Sequence, residues 1–535
     1  MKRIFTIAFA LMACIATMNA WTPSDTDYRL MDLDSVYGQM LLKTVRADNG
    51  VIYQTWLRTP VGVMASDTTF GYFLHLQIFD PNGNPLFGKE GILVSDNPTK
   101  TYVSDYGVAL APNGDVVISY ADCRNDAAKR ASIHSYVYRF DQQGNPVWNA
   151  DGTQIPVQTT DNTLISNYEM KNSVVVSDDN IYVMTAHTEV YRNENDKKVT
   201  VSNFQVNRMN DDGTFAWSEN VLFNTDMAMV KMAPCADGDV FVLYDNDSKG
   251  ISARRLSKDG AAVWNDDVVV ESELLGNFYI KEPTVVPDEN GGIALAYRKL
   301  TSYAGYAAYN YLRADGTTLG TGASITGSTD GDCGTMRAAL NGDTLLVAWN
   351  YKDTVNNMYA NAVSINDNSF LWPTWPVDCS KGVSYDQSPS WGITPITVIR
   401  MTDGWVMFYA NSTGYATANL YVIKIDNFGT LVWSKPICEE NFVANSYSIV
   451  NDDKYAYFFI ATDKEHDTDK GGGMRVMCIE LSDGSAPGTG VNEINAVAGG
   501  VETRYDLTGR QVSADYKGIQ IVKSADGTVK KVLVK

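Results

Sequence analysis

A chain of 535 residues has room for three or four ordinary domains or for one long repeat array. With 44% hydrophobic and 20% charged residues it is not wholesale disordered, and a net charge of -20 with a pI near 4.6 argues against nucleic acid or an anionic membrane as partner. Its 30 Tyr and 42 Gly suit many short strands and tight turns better than helices.

Lys2 and Arg3 precede an apolar stretch from Ile4 to Ile15, and Asn19-Ala20 supplies a small residue at a cleavage point. Residues 1–20 therefore read as a secretory signal peptide cleaved after Ala20, too short to span a bilayer. Leu11-Met12-Ala13-Cys14 offers a rival reading, a lipobox that would lipidate Cys14. No later run reaches about 18 consecutive apolar residues, so no transmembrane segment is expected. The remaining cysteines (Cys123, Cys235, Cys333, Cys379, Cys438 and Cys478) lack CxxC or metal-ligand spacing. Export permits disulfides, and buried unpaired thiols fit at least as well.

From about residue 40 one pattern recurs: an apolar strand, an Asp/Asn-rich turn with Gly, then an aromatic. It reads Phe140 to Gly144 and Trp148, Met209 to Gly213 and Trp217, Leu256 to Gly260 and Trp264, and Ile425 to Gly429 and Trp433. Weaker copies end at Phe87 and Trp372, and Leu312 to Gly316 is another. Gly tolerates positive φ in the turn, and the aromatic returns to pack on a face. Ahead of each copy lies a strand that ends in an aromatic, as in Gly114 to Tyr120, Gly238 to Tyr244 and Asp343 to Trp349. These strands are nearly continuous in apolar residues, as strands buried on both faces are.

The units begin near residues 40, 103, 170, 230, 280, 333, 394 and 446, and each has room for four strands. The expected fold is all-β: a β-propeller over residues 21–487, eight four-stranded blades or, as the competing count, seven with a side hairpin. The last unit lacks an outer strand, and Asp27 to Asp34 has no partner of its own. That segment is expected to complete the eighth blade and hide its edge, or else to be a loose arm. The motif Tyr120-Ala-Asp122-Cys-Arg124 with Gly144 and Trp148 resembles bacterial propeller repeats, in part or in full over most of residues 40–487.

After a small-residue linker, 488–500, come Tyr505-Asp506-Leu-Thr-Gly509-Arg510, Lys517-Gly518-Ile-Gln520-Ile-Val522, and a basic, apolar run ending at Lys535. Residues 501–535 resemble the C-terminal sorting domain read by the type IX secretion system, with Gln520 where Tyr is usual. The resemblance implies a small β-sandwich-like domain whose motif residues are Tyr505, Asp506, Gly509, Arg510, Gly518 and Lys535. It also implies Sec export, then passage through the outer membrane by that machinery, with the protein released or held at the cell surface.

The four histidines, His75, His134, His187 and His466, stand in no zinc spacing, and no nucleophile elbow or phosphate loop occurs. Ser257 to Trp264 resembles the sialidase Asp-box with Asp and Gly adjacent, which argues for a propeller turn rather than for sialidase chemistry. Asp245 and Asp247 open like a calcium loop, but Lys249 takes a ligand place and no bidentate Glu follows; no cofactor is expected beyond that weak candidate. Arg58, Asp122, Arg124 and Arg298 fall just past strand ends near the expected channel mouth, where they would read a carboxylate or sugar or else bridge neighbouring blades. The expected function is binding of a glycan, peptide or surface protein. The rival is a polysaccharide-degrading enzyme, a glycoside hydrolase or lyase, on the same scaffold.

Overall fold

The computed structural model describes residues 29–31, residues 37–487 apart from loops, and parts of 503–534. The loops left out are 61–70, 101–104, 125–132, 160–163, 224–229, 246–249, 273–282, 301–304, 320–322, 326–331, 353–355, 373–375, 380–392, 415–416, 444–446, 463–472 and 486. The expected signal peptide, the linker, Asp247, Gly509, Arg510 and Lys535 lie outside the described residues. Two compact units form, residues 20–486 and one that takes in the chain from Pro487 onward.

Among the described residues of the larger unit are eight four-stranded antiparallel sheets. The first is Tyr37–Arg46, Ile52–Pro60, Phe73–Phe79 and Ile92–Leu93, and the second Gly107–Leu110, Val116–Asp122, His134–Phe140 and Thr153–Gln154. The third is Leu164–Ser177, Asn180–Arg192, Lys198–Met209 and Val221–Phe223. The fourth to seventh open with Val230–Pro234, Thr284–Pro287, Asp332–Asn341 and Ile393–Met401 in the same order. The eighth is Tyr447–Asn451, Tyr455–Thr462 and Gly473–Glu480, and its fourth strand is Arg29–Met31. Leu30 pairs with Arg475 and Met31 with Met474, the place the sequence left for that segment.

Each sheet packs on the next, and the eighth packs on the first, so the succession closes. The first strands of successive sheets abut from the eighth sheet round to the seventh, which makes them the inner wall of the ring. Second strands are rich in apolar residues because both their faces are covered: Val116–Asp122 is buried throughout, and Leu345 to Trp349 are at most 1% exposed. Cys123, Cys235, Cys333, Cys379, Cys438 and Cys478 are all buried.

The repeated Gly and aromatic join neighbouring sheets. Gly213 sits at φ +82 with room for a Cβ only 2.7 Å from Trp148, the aromatic of the preceding repeat. The Trp148 indole N–H donates to the Asp211 carbonyl at 2.9 Å. Trp217 repeats the contact on Gly260 and the Lys258 carbonyl, Trp372 on Gly429 and the Asn427 carbonyl, and Trp433 on Gly484 and the Ser482 carbonyl. The sequence predicts these aromatics on the outgoing fourth strands. Trp433 is on one, Leu431–Val443, but Trp148 and Trp217 precede the short strands Thr153–Gln154 and Val221–Phe223. The reason is that each indole leaves its own sheet to fill the space over the next turn.

In the smaller unit Thr503–Tyr505, Gly518–Lys523 and Val529–Val534 form a three-stranded antiparallel sheet. Gln520 is fully buried there; it accepts from Arg504 at 3.1 Å and donates to the Tyr516 carbonyl at 2.6 Å. Asp506 is also buried, and Gly518 takes φ +117 at the head of its strand.

Candidate functional site

The inner strands are not regular. In the first sheet two residues, Leu41 and Leu42, stand opposite one between the pairs Met40–Leu57 and Lys43–Thr55. The third sheet repeats this with Lys171 and Asn172, and the sixth with Gly334 and Thr335. Leu41 and Lys171 take φ of +52 and +55 at these bulges. A non-glycine residue held there costs on the order of 1–3 kcal/mol and needs surroundings that enforce it. Those surroundings come from the second sheet: the buried Tyr106 hydroxyl donates to the Leu41 carbonyl, and the Asn172 N–H donates to the Asp105 carbonyl at 3.1 Å. A bulge bends the strand and re-aims the side chains beside it.

Two cavities open at these bulges. One, of about 380 Å³, is lined by Lys43, Asp105, Lys171, Asn172, Ser173 and Lys231 among others. The other, of about 520 Å³, is lined by Lys231, Thr284, Tyr297, Arg298, Thr335 and Arg337 among others. They meet at Lys231, and their walls carry five cations against one acid, Asp105, which pairs with Lys43 at 2.7 Å. On a chain of net charge -20 this is a local reversal of sign. Arg337 is braced by the Ile396 and Met336 carbonyls, each at 2.7 Å.

Of the four residues singled out in the sequence, Arg298 lines a cavity. Arg58 lies 3.3 Å from the Glu90 carboxylate within its own sheet. Asp122, fully buried, takes two bonds from the Arg124 guanidinium at 3.0 and 2.8 Å and one from Ser95 at 2.8 Å. Arg124 also stacks 3.5 Å over the Tyr136 ring and donates to the Tyr138 hydroxyl at 2.7 Å. That is an ion pair closed within the second sheet and its own turn. Arg124→Lys keeps the charge but loses the planar fork, and is expected to cost about 1–2 kcal/mol while ligand affinity stays at the parent value. Urea unfolding beside a binding titration checks both.

A second polar cluster lies in the seam between the second and third sheets. His187 is fully buried; its Nδ1 lies 3.0 Å from Glu169 and its Nε2 3.2 Å from Glu189. His134 Nδ1 lies 2.7 Å from the other Glu169 oxygen. Burial opposes ionisation of Glu169, but hydrogen bonds from both histidines hold its carboxyl below its ordinary range. The same bond to Glu169 raises His134 above its ordinary value, against the pull of burial. None of the four side chains lines either cavity. A periodic pattern cannot announce the cluster, because its members come from three different strands.

Asp245 ends the second strand of the fourth sheet. Among the described residues no group of His, Cys, Asp and Glu is arranged to hold a metal ion, and no helix is long and apolar enough to cross a membrane.

No protein-family model matches the chain, and no curated protein matches it. Among solved structures, a polysaccharide lyase described as an ulvan lyase bound to a glucuronate–sulfated rhamnose unit is 11% identical, with TM-score 0.39, over 70% of this chain and 94% of that one. The NanB sialidase of Streptococcus pneumoniae is 11% identical, with TM-score 0.36, over 85% of this chain and 71% of that one. A protein of unknown function from Dyadobacter fermentans is 12% identical, with TM-score 0.33, over 65% of this chain and all of that one. Each likeness is remote in sequence and loose in shape.

Proposed function

We propose that the chain is a secreted, eight-bladed β-propeller that binds a glycan, peptide or surface partner at the cavities of its inner strands and has no catalysis of its own. One observation carries the reading: among the described residues, two open cavities at bulged inner strands are lined by five cations, neutral groups and a single acid, Asp105, which is paired with Lys43, whereas Glu169 and Glu189 are fully buried and line neither. A hydrolase of sugars needs a carboxylate pair facing its substrate. Eight four-stranded sheets in closed succession, with Arg29–Met31 completing the eighth, support the blade count. The signal-like residues 1–20 and the motifs of 501–535 support export by Sec and then by type IX secretion, to the medium or the outer-membrane surface, with the secretion machinery as partner of the tail.

The test is a glycan array probed with the purified mature protein, run beside an assay for reducing-sugar release and unsaturated product from the same polysaccharides. Binding without release is the expected result. Release would make the protein an enzyme and overturn the reading.

A further inference from the structure

We infer that the two inner-strand cavities form one site for an acidic oligosaccharide, a sugar chain whose carboxylate or sulfate groups meet Lys43, Lys171, Lys231, Arg298 and Arg337. The inference rests on the binding reading above and gives it a ligand class.

Charge is the first argument. The cavities share Lys231, and the first, third, fourth, fifth and sixth sheets each contribute one cation to their walls. Asp105, the one acidic lining residue, is paired with Lys43. A tract of this sign inside an acidic ring concentrates field lines and selects anions over neutral ligands. Two cavities, each with its own cations, suit a ligand with more than one anionic group.

Asn172 is the second argument, and it favours a hydroxyl-rich ligand over a bare carboxylate. Asn172 is 4% exposed, it lines the smaller cavity, and neither its side-chain amide nitrogen nor its oxygen has a hydrogen-bond partner among the described residues. Buried amides are rarely left so, and the exceptions call for an explanation. A carboxylate can satisfy only the nitrogen. Hydroxyls both donate and accept, so a sugar satisfies both atoms at once. Ser173, Thr284 and Thr335 line the same walls and offer the same complementarity. The strained φ at Lys171, next to Asn172, shows that the backbone is held out of its preferred conformation where these groups are presented.

The experiment is calorimetric titration of the mature protein with four probes of similar length: oligogalacturonate, a sulfated dextran oligosaccharide, neutral maltohexaose and poly-L-glutamate. Oligogalacturonate or the sulfated chain is expected to bind, with affinity falling as salt rises, and which of the two binds tells carboxylate from sulfate. Maltohexaose and polyglutamate are expected to bind at least about tenfold more weakly. Lys171→Glu and Lys231→Glu should each cost about tenfold or more in affinity for the acidic sugar. Asn172→Ala should weaken the acidic sugar more than it weakens residual polyglutamate binding. Melting temperatures of the variants control for folding.

Equal binding of maltohexaose and the acidic sugars would overturn the inference and leave the binding reading standing. So would parent affinity in both charge-reversed variants, or preference for polyglutamate. Silence toward all four probes, and across the glycan array, would remove the glycan reading itself.

Discussion

Trp148→Ala is expected to destabilise the protein by about 3–5 kcal/mol, read as a lower urea midpoint at unchanged slope. The indole is 7% exposed, covers Gly213 of the next sheet and donates to the Asp211 carbonyl. Truncation leaves a cavity at a seam and an orphaned acceptor in the turn. The reciprocal change, Gly213→Ala, puts a Cβ at φ +82 and 2.7 Å from the Trp148 ring, for about 1–3 kcal/mol. Gly88→Ala is the control, because nothing lies within 4 Å of its added Cβ. Equal stability of the Trp148 and Gly88 variants would show that these rings do not hold the seams.

Glu169→Gln is the second large change, expected to cost about 3–5 kcal/mol near pH 6 because it breaks a buried ionic cluster from its centre. The parent protein should also depend on pH in a way this variant does not. His134 is raised in the folded state, so its contribution is complete below its ordinary value of 6.5 and is lost as pH climbs through the raised range. Glu169 is lowered, so its contribution is complete above the ordinary carboxylate value of 4.5 and is lost as pH falls through the depressed range. Stability from this seam is therefore greatest in mildly acidic solution and declines above neutrality. Thermal melts between pH 4 and 9 would show it, and the Glu169→Gln profile should be flatter at both ends. A parent profile that rises steadily from pH 6 to 9 would contradict the assignment.

The scaffold was legible in the sequence because each repeat carries its own turn chemistry. Gly144, Gly213, Gly260 and Gly429 sit at φ near +80 where the repeat requires it. The continuous apolar runs read as strands covered on both faces, and they are. The reach of Trp148 and Trp217 was less legible: a period reports which residues recur, not which neighbour they touch. Asp122 closes its strand and Arg124 stands two residues on, a spacing that serves a ligand or an internal pair equally well. The bulges were invisible, since Leu41 and Lys171 are unremarkable residues forced into positive φ by Tyr106 and by the backbone of Asp105, contacts from another sheet. For the same reason the sequence pointed to Arg298 but not to Lys171, Asn172 or Lys231.

The strand Arg29–Met31 has a consequence in time. It is synthesised long before its partner strand, Gly473–Glu480, so its position stays empty until that strand has been made. Contacts between such distant parts of a sequence form late and slowly. A chain cut short anywhere before residue 474 keeps an unpaired edge at one end of the array and an unpaired strand at the other, both open to other molecules. Joining segments so far apart in the sequence thus ties the native state to the presence of both, and a product that stops before residue 474 differs in its exposed edges as well as its length.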